Sequence, residues 1–373
     1  MKIALIHDWL TGMRGGEKVL EVMCELWPEA DLYTLLHVPG KLTPVIENRK
    51  IITSGIQKLP KAVDWYRYYL PLMPTAIEQF DLREYDLVLS TSHCVAKGVI
   101  TQPATCHISY IHTPMRYVWE LFEEYFGAQR TGRFKRLIIS FFANYLRLWD
   151  VASANRVDDF IANSGHVAKR IAKHYRREST VIHPPVDTAR FSIGQPEDFY
   201  LVVSALAPYK RIDLAVQACA RMKRKIKVVG TGQDEDLLRR IGGEYIDFLG
   251  WQDDATIVEL YQKCRAFVFP GEEDFGITPL EAQASGRPVI AFGKGGALET
   301  VRGLHEENPT GVFFHEQTVD GLMQAIATFE QNESRFEAAH TREHALTFDR
   351  EVFRRRIKEH VEGYYATYRA QQG

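Results

Sequence analysis

The chain has 373 residues, of which 45% are hydrophobic and 25% charged, and it carries a formal net charge of −2. That length exceeds what one hydrophobic core usually serves, so two domains are expected, and the composition is that of a folded rather than a disordered chain. The near-neutral balance gives no global sign of nucleic acid, which is not expected as a partner.

Short apolar runs alternate with helical patterns almost from end to end. The opening MKIALIHDWL lacks the basic start and the longer apolar run of a signal peptide, and residues 2–7 read as a buried first strand. Further strands are expected at 85–90, 106–112 and 158–164, then at 199–205, 225–230, 266–270, 287–292 and 311–314. Helices fit between them, for example around 211–222, 254–264 and 276–286. Apolar strands alternating with helices predict an α/β fold of two doubly wound domains with parallel sheets. The stretch VIHPPVDTARF (181–191), with its adjacent prolines, marks a boundary between a domain over 1–185 and a second over 186–349. The charged helical segment at 348–368 leaves two alternatives: it finishes the second domain, or a helix over about 350–373 packs back on the first.

No stretch approaches the about 18 uninterrupted apolar residues of a membrane span. The five cysteines (Cys24, Cys94, Cys106, Cys219 and Cys264) form no CxxC pair and no metal-like spacing, so reduced thiols, no metal and a cytoplasmic location are expected. Residues 133–149 space Arg133, Arg136, Ser140, Asn144 and Arg147 along one face of an otherwise apolar helix, and residues 65–74 are rich in aromatics. Such elements fit peripheral contact with the anionic inner face of a membrane, or a core helix whose arginines snorkel.

The densest chemical signal is FPGEEDFGITPLEAQASGRPVIA (269–291). Glu273 falls in the loop after a strand, and Glu281 lies eight residues later on the following helix. Gly271 and Gly276 permit sharp turns, and the N–H groups of Phe275, Gly276, Ile277 and Thr278 open that helix, a place for an anion or hydroxyl. Glu281 can accept two hydrogen bonds from vicinal hydroxyls such as those of a ribose. In VSALAPYKR (203–211), Lys210 and Arg211 are expected in the first turn of a helix, where two cations compensate a pyrophosphate. Gly15 and Gly16 open a helix after the first strand; they either let backbone approach a phosphate or sugar, or simply supply positive φ. His112 ends the run SYIH at the carboxyl end of a strand, where ligands of doubly wound folds bind. His7, His93, His107 and His183 show no comparable context. A GxGxxG fingerprint is absent after the first strand, which counts against NAD or FAD.

PGEEDFGITPLEA resembles the two-glutamate motif of retaining glycosyltransferase family 4, and SGRPVIAFGKGGALETV, VSALAPYKRIDLAV, IHDWLTGMRGGEK and SYIHTPMRYVWE extend that resemblance over nearly the whole chain. The likeness is strongest to bacterial mannosyltransferases of O-antigen and exopolysaccharide assembly. It implies the GT-B fold, two Rossmann-like domains facing across a cleft that closes over the donor. It further implies retaining hexosyl transfer without metal or other cofactor, from a nucleotide-sugar donor to a glycan or lipid-linked acceptor. GDP-mannose is the first expectation for that donor, with UDP-hexoses next.

By the same resemblance His112, Glu273 and Lys210 are the catalytic candidates. Gly15, Gly16, Lys210, Arg211, Gly232, Trp251, Glu273, Phe275, Gly276, Ile277, Thr278 and Glu281 bind the donor, and Arg14, His112 and Arg116 meet the acceptor. Ala205 stands where the family usually has arginine, and Arg211 is the expected replacement. The alternatives are an epimerase on the same fold and a catalytically silent nucleotide-sugar binder.

Overall fold

The computed structural model describes residues 1–120 and 133–372. The chain divides into two compact units, Met1–Pro185 with Phe353–Gly373, and Val186–Val352.

The N-terminal unit is built on seven strands: β1 (Ile3–His7), β2 (Asp31–Thr34), β3 (Ile51–Thr53), β4 (Leu87–Ser92), β5 (Cys106–Ile111), β6 (Asp159–Ala162) and β7 (Thr180–Val181). They lie in the order β3-β2-β1-β4-β5-β6-β7, every pairing parallel. Central β1, β4 and β5 are buried at every residue, as strands covered on both faces must be. Successive strands run outward from β1 one way and from β4 the other, so the topological switch falls between these two, with His7 beside Thr91 in register. Helices α1 (Gly15–Leu26), α2 (Arg133–Ala154) and α3 (Gly165–Tyr175) cover the sheet.

The C-terminal unit has six parallel strands, β8 (Tyr200–Val203), β9 (Ile226–Val229), β10 (Ile246–Gly250), β11 (Ala266–Phe269), β12 (Val289–Phe292) and β13 (Gly311–Phe314). Their order is β10-β9-β8-β11-β12-β13, which puts the switch between β8 and β11. Its longer helices are α4 (Ile212–Met222), α5 (Glu235–Ile241), α6 (Asp254–Lys263), α7 (Ile277–Ala284), α8 (Val319–Gln331) and α9 (Ala338–Leu346).

Short β2 and β3, and β10 with its shift of register near Gly250, are strands the apolar runs did not announce. The last helix, α10 (Arg350–Gln372), begins at the end of the second unit and buries Phe353, Ile357 and Val361 in the core of the first, against Leu5, Leu20 and Ile108. Of the two alternatives for this segment, the chain takes the return to the N-terminal unit.

Helix α2 does not bury its whole apolar surface. The Arg133 side chain lies outside the described residues, and Arg147 turns inward to donate to Val118 O at 2.8 Å. Leu137, Phe141 and Leu148, on one face, are instead 69%, 72% and 66% exposed. The helix is anchored from its other side, where buried Asp150 pairs with buried Lys97 at 2.7 Å and accepts from Trp119 at 2.8 Å. A buried ion pair with its partners filled holds position better than it adds stability, which leaves the apolar stripe outside. No described helix is long and apolar enough to cross a membrane.

Candidate functional site

In both sheets, chemically active residues gather at the carboxyl ends of the strands that flank the switch, where doubly wound folds bind ligands.

In the C-terminal unit the loop after β11 carries Glu273, whose carboxylate accepts a hydrogen bond from Lys210 Nζ. Both side chains stay about a fifth exposed, so the pair borders solvent. Glycines let the surrounding backbones approach. A Cβ at Gly271 would sit 2.9 Å from Lys210 O, one at Gly295 would sit 2.4 Å from Glu273 O, and one at Gly296 would sit 2.3 Å from Phe275 Cα. Gly296 N donates to Glu273 O at 2.8 Å, fixing the loop to the turn after β12. Gly276, at φ +95°, then starts α7, with Phe275 buried before it and Ile277 and Thr278 in its first turn. Glu281, one turn in, accepts from the hydroxyl of fully buried Tyr261 at 3.2 Å. That bond fixes one carboxylate oxygen of Glu281.

Lys210 closes a single 3₁₀ turn, Pro208–Lys210, and Arg211 caps α4 from left-handed backbone at φ +54°. Neither residue is in the first turn of a helix, because that turn begins at Ile212. The Arg211 guanidinium runs to Asp213 at 3.1 and 3.2 Å and to Gln317 at 3.5 Å. Gly232 packs against the segment that holds Ala205, with a Cβ position only 2.3 Å from Leu206 O. Trp251 stands apart, 75% exposed.

The N-terminal unit assembles its cluster from more distant parts. Asp8, directly after β1, is wholly buried. Its carboxylate accepts four backbone N–H bonds of 2.7–2.9 Å, from His93 and Cys94 on one oxygen and from Val95 and Ala96 on the other. The imidazole of His93 adds a fifth contact, Nδ1 to Oδ2 at 3.0 Å. Burial would raise the Asp8 pKa, but His93, His7 and the N–H groups together hold it far below the usual carboxylate range. Burial likewise opposes the charge on His93, and Asp8 outweighs it, so the His93 pKa is raised.

His7, fully buried, bonds Thr91 through Nδ1 and points Nε2 toward Glu17 at 3.8 Å. Glu17 also accepts from Arg14 N at 3.0 Å, which caps α1. His112 follows β5, and a Cβ on Gly16 would lie 3.5 Å from both His112 Nε2 and His7 Cε1. Burial, with the neighbouring His93 and His7, pushes the His112 pKa down to about 3, so its ring is neutral. Arg116 starts the short helix Arg116–Trp119 just beyond.

The structure thus brings His112 together with Gly16 and with three groups that carried no functional reading, His7, Asp8 and His93. Glu17 joins them. Their shared signal was position alone: DW after the first strand and SH after the fourth. His107 is different, since its Nε2 meets Ser90 Oγ at 2.9 Å inside the sheet. Among the described residues no group of three or more His, Cys, Asp or Glu could hold a metal ion.

Comparison with known proteins gives both units a family. Residues 13–190 match the model described as Glycosyltransferase Family 4, and residues 186–345 match that described as Glycosyl transferases group 1. The chain is 32% identical to D-inositol 3-phosphate glycosyltransferase of Geodermatophilus obscurus, over 41% of each chain. It is 29% identical to the GDP-mannose-dependent monoacylated α-(1-6)-phosphatidylinositol monomannoside mannosyltransferase of Corynebacterium glutamicum, over 46% of this chain and 52% of that one. The match therefore spans about half the length of these curated relatives. Among solved structures, Anabaena HepE in complex with UDP superposes with a TM-score of 0.68 over 97% of this chain and 100% of that one, at 17% identity, a likeness of fold. With the two parallel sheets of the GT-B fold and both family models in chain order, the chain belongs to the glycosyltransferases that join a family 4 N-terminal part to a group 1 C-terminal part.

Proposed function

We propose that the chain transfers a hexosyl group, mannose in the first instance, with retention and without a metal ion. The donor is a nucleotide sugar, GDP-mannose as first assignment, and the acceptor a glycan or lipid-linked sugar of bacterial surface polysaccharide. The observation that carries this reading is the Lys210–Glu273 pair beside the β8–β11 switch, with Glu281 one turn into the adjoining helix. Lys210 neutralises charge growing on the departing diphosphate, the part a metal plays in other transferases. Glu281 offers its carboxylate to a ribose diol, and Glu273 with the backbone at Gly276 and Ile277 orients the hexose. Arg211 can join Lys210 only by leaving Asp213, so Lys210 bears most of the phosphate contact and the gap at Ala205 stays open. Gly232 lies near the diphosphate and Trp251 at the base. Gly15, Gly16, Arg14, Arg116 and neutral His112 meet the sugars.

The name of the Corynebacterium relative supports GDP-mannose and a lipid-linked acceptor. The UDP in HepE makes a UDP-hexose the second reading. Thermal-shift titration with GDP-mannose, GDP, UDP-glucose and UDP, followed by nuclear magnetic resonance of the released sugar, separates them. The expected result is the largest shift with GDP-mannose and slow release of α-mannose. Larger shifts with UDP-glucose reassign the donor, and binding without turnover makes the chain a silent binder.

The exposed stripe Leu137, Phe141 and Leu148, together with Trp65 and Tyr68 at 48% and 78% exposure, supports peripheral contact with the inner face of the cytoplasmic membrane. Co-sedimentation with anionic vesicles at low salt tests it; protein left wholly in the supernatant refutes it.

A further inference from the structure

Of the three histidines at the switch of the N-terminal sheet, only His112 has a part in the reading above. Their rings form a near-equilateral triangle, with centroids 6.3 Å apart for His7 and His93, 6.5 Å for His7 and His112, and 6.4 Å for His93 and His112. His7 is closed off, with no side-chain surface exposed. His93 is open: its Nδ1 edge faces Asp8, while 30% of the side chain remains exposed. No described residue is bonded to its Nε2. Trp9 supports the ring edge-on, at 4.5 Å and 87°.

The hold on His93 exceeds what a surface imidazole needs. Asp8 grips the backbone of four successive residues, His93 to Ala96, and the His93 ring besides. A carboxylate behind one imidazole nitrogen fixes the ring and its tautomer, and directs the other nitrogen outward. The anchor and the ring stand at the carboxyl ends of β1 and β4, the two strands that flank the switch. A buried carboxylate retained to orient an exposed histidine at that place is the pattern of a group that meets a ligand.

We propose that His93 is a second substrate-contacting histidine of this unit, its outward Nε2 hydrogen-bonding a hydroxyl of the bound sugar beside His112. The inference rests on the glycosyl-transfer reading for the identity of the ligand. The two imidazoles then divide the work. His112 is neutral and can donate or accept; Asp8 opposes the effect of burial and favours the protonated form of His93, in which Nε2 donates. The charged and titratable groups that face His93 are Asp8 and His7 from β1 and its end, Arg14 and Glu17 from α1, and His112 from the end of β5. Asp8 and Glu17 favour its proton, and Arg14 opposes it.

The test uses the full chain and three variants, His93→Ala, His93→Gln and Asp8→Asn, with GDP-mannose turnover to free mannose followed between about pH 5.5 and 9. His93→Ala should lower kcat by about 10- to 100-fold, the loss of one charged hydrogen bond, while GDP affinity holds. His93→Gln, whose amide can occupy the Nε2 place, should recover part of that loss. Asp8→Asn lowers the His93 pKa, so the alkaline limb of the profile should move to lower pH. Turnover of His93→Ala within about twofold of wild type at every pH overturns the proposal. So does an equal fall in GDP affinity with neither rescue by glutamine nor a displaced limb, which is the mark of a merely structural residue. Should the wild-type chain turn over neither GDP-mannose nor UDP-glucose, the donor assignment fails separately. Imidazole resonances of labelled protein titrated with methyl α-D-mannopyranoside then decide: a His93 shift supports the contact, and an unmoved His93 resonance overturns it.

Discussion

The two units place their chemistry at the same topological position and build it by opposite means. In the C-terminal unit the site is backbone brought close to backbone, with Gly271, Gly295 and Gly296 where any Cβ would collide, and one exposed ion pair, Lys210–Glu273. In the N-terminal unit it is a cluster of side chains, buried Asp8, His7, Glu17 and His112 with half-buried His93, in which burial and charged neighbours hold Asp8 low, His93 high and His112 low. Under the function proposed above, the first arrangement grips the donor's diphosphate by shape, and the second meets sugar hydroxyls with imidazoles.

This contrast can be broken. The largest effect is expected from Asp8→Ala, which strands several backbone donors and His93 and should cost about 3–5 kcal/mol in urea unfolding of the N-terminal unit. Removing the Lys210 amine has no such structural consequence, because the pair is partly solvated. Lys210→Ala should instead cut donor turnover by about 10²- to 10³-fold with little change in unfolding. Should Lys210→Ala unfold the protein and Asp8→Ala leave it intact, the comparison is wrong.

A third effect is steric. Gly232→Ala should destabilise the C-terminal unit by about 1–3 kcal/mol, since its methyl would meet Leu206 O. Gly16→Ala finds ordinary contact at 3.5 Å and should change stability by less than about 0.5 kcal/mol while slowing turnover, measured by calorimetry and donor consumption.

A further effect is acid sensitivity. Burial holds His107 and His112 neutral with pKa values of about 3, and burial lowers His344 to about 4. The unfolded chain protonates these rings near pH 6.5, so stability present above that pH is lost as pH falls below it. Each ring contributes about 1.4 kcal/mol per pH unit there. Two of the three lie in the N-terminal unit, which should therefore unfold first on acidification, a difference that domain-resolved hydrogen exchange can read.

How legible each site was follows from the same contrast. Glu273, Gly276 and Glu281 lie within one contiguous loop and helix, so a candidate site could be read there from one local stretch and its resemblance to a known motif. Asp8 and His93 are 85 residues apart and meet only because β4 lies beside β1, a pairing no local pattern states. The α/β rhythm was readable because the central strands are wholly buried and rich in apolar residues; β2 and β3, of four and three residues, gave too little signal. Arg211 was misplaced because its left-handed backbone interrupts the turn before α4. The arginine spacing of α2 was clear, but which face turned inward depended on Lys97 and Asp150, a buried pair 53 residues apart.

Helix α10 has one more consequence, for the order in which the molecule is made. Residues 186–352 leave the ribosome as a complete unit, while the N-terminal sheet, though synthesised first, still lacks Phe353, Ile357 and Val361. Domains ordinarily finish folding in the order they emerge. Here the second unit can close while the first waits, its β1 and β5 flank uncovered, for residues 353–372 (about 30 Å of helix) to arrive.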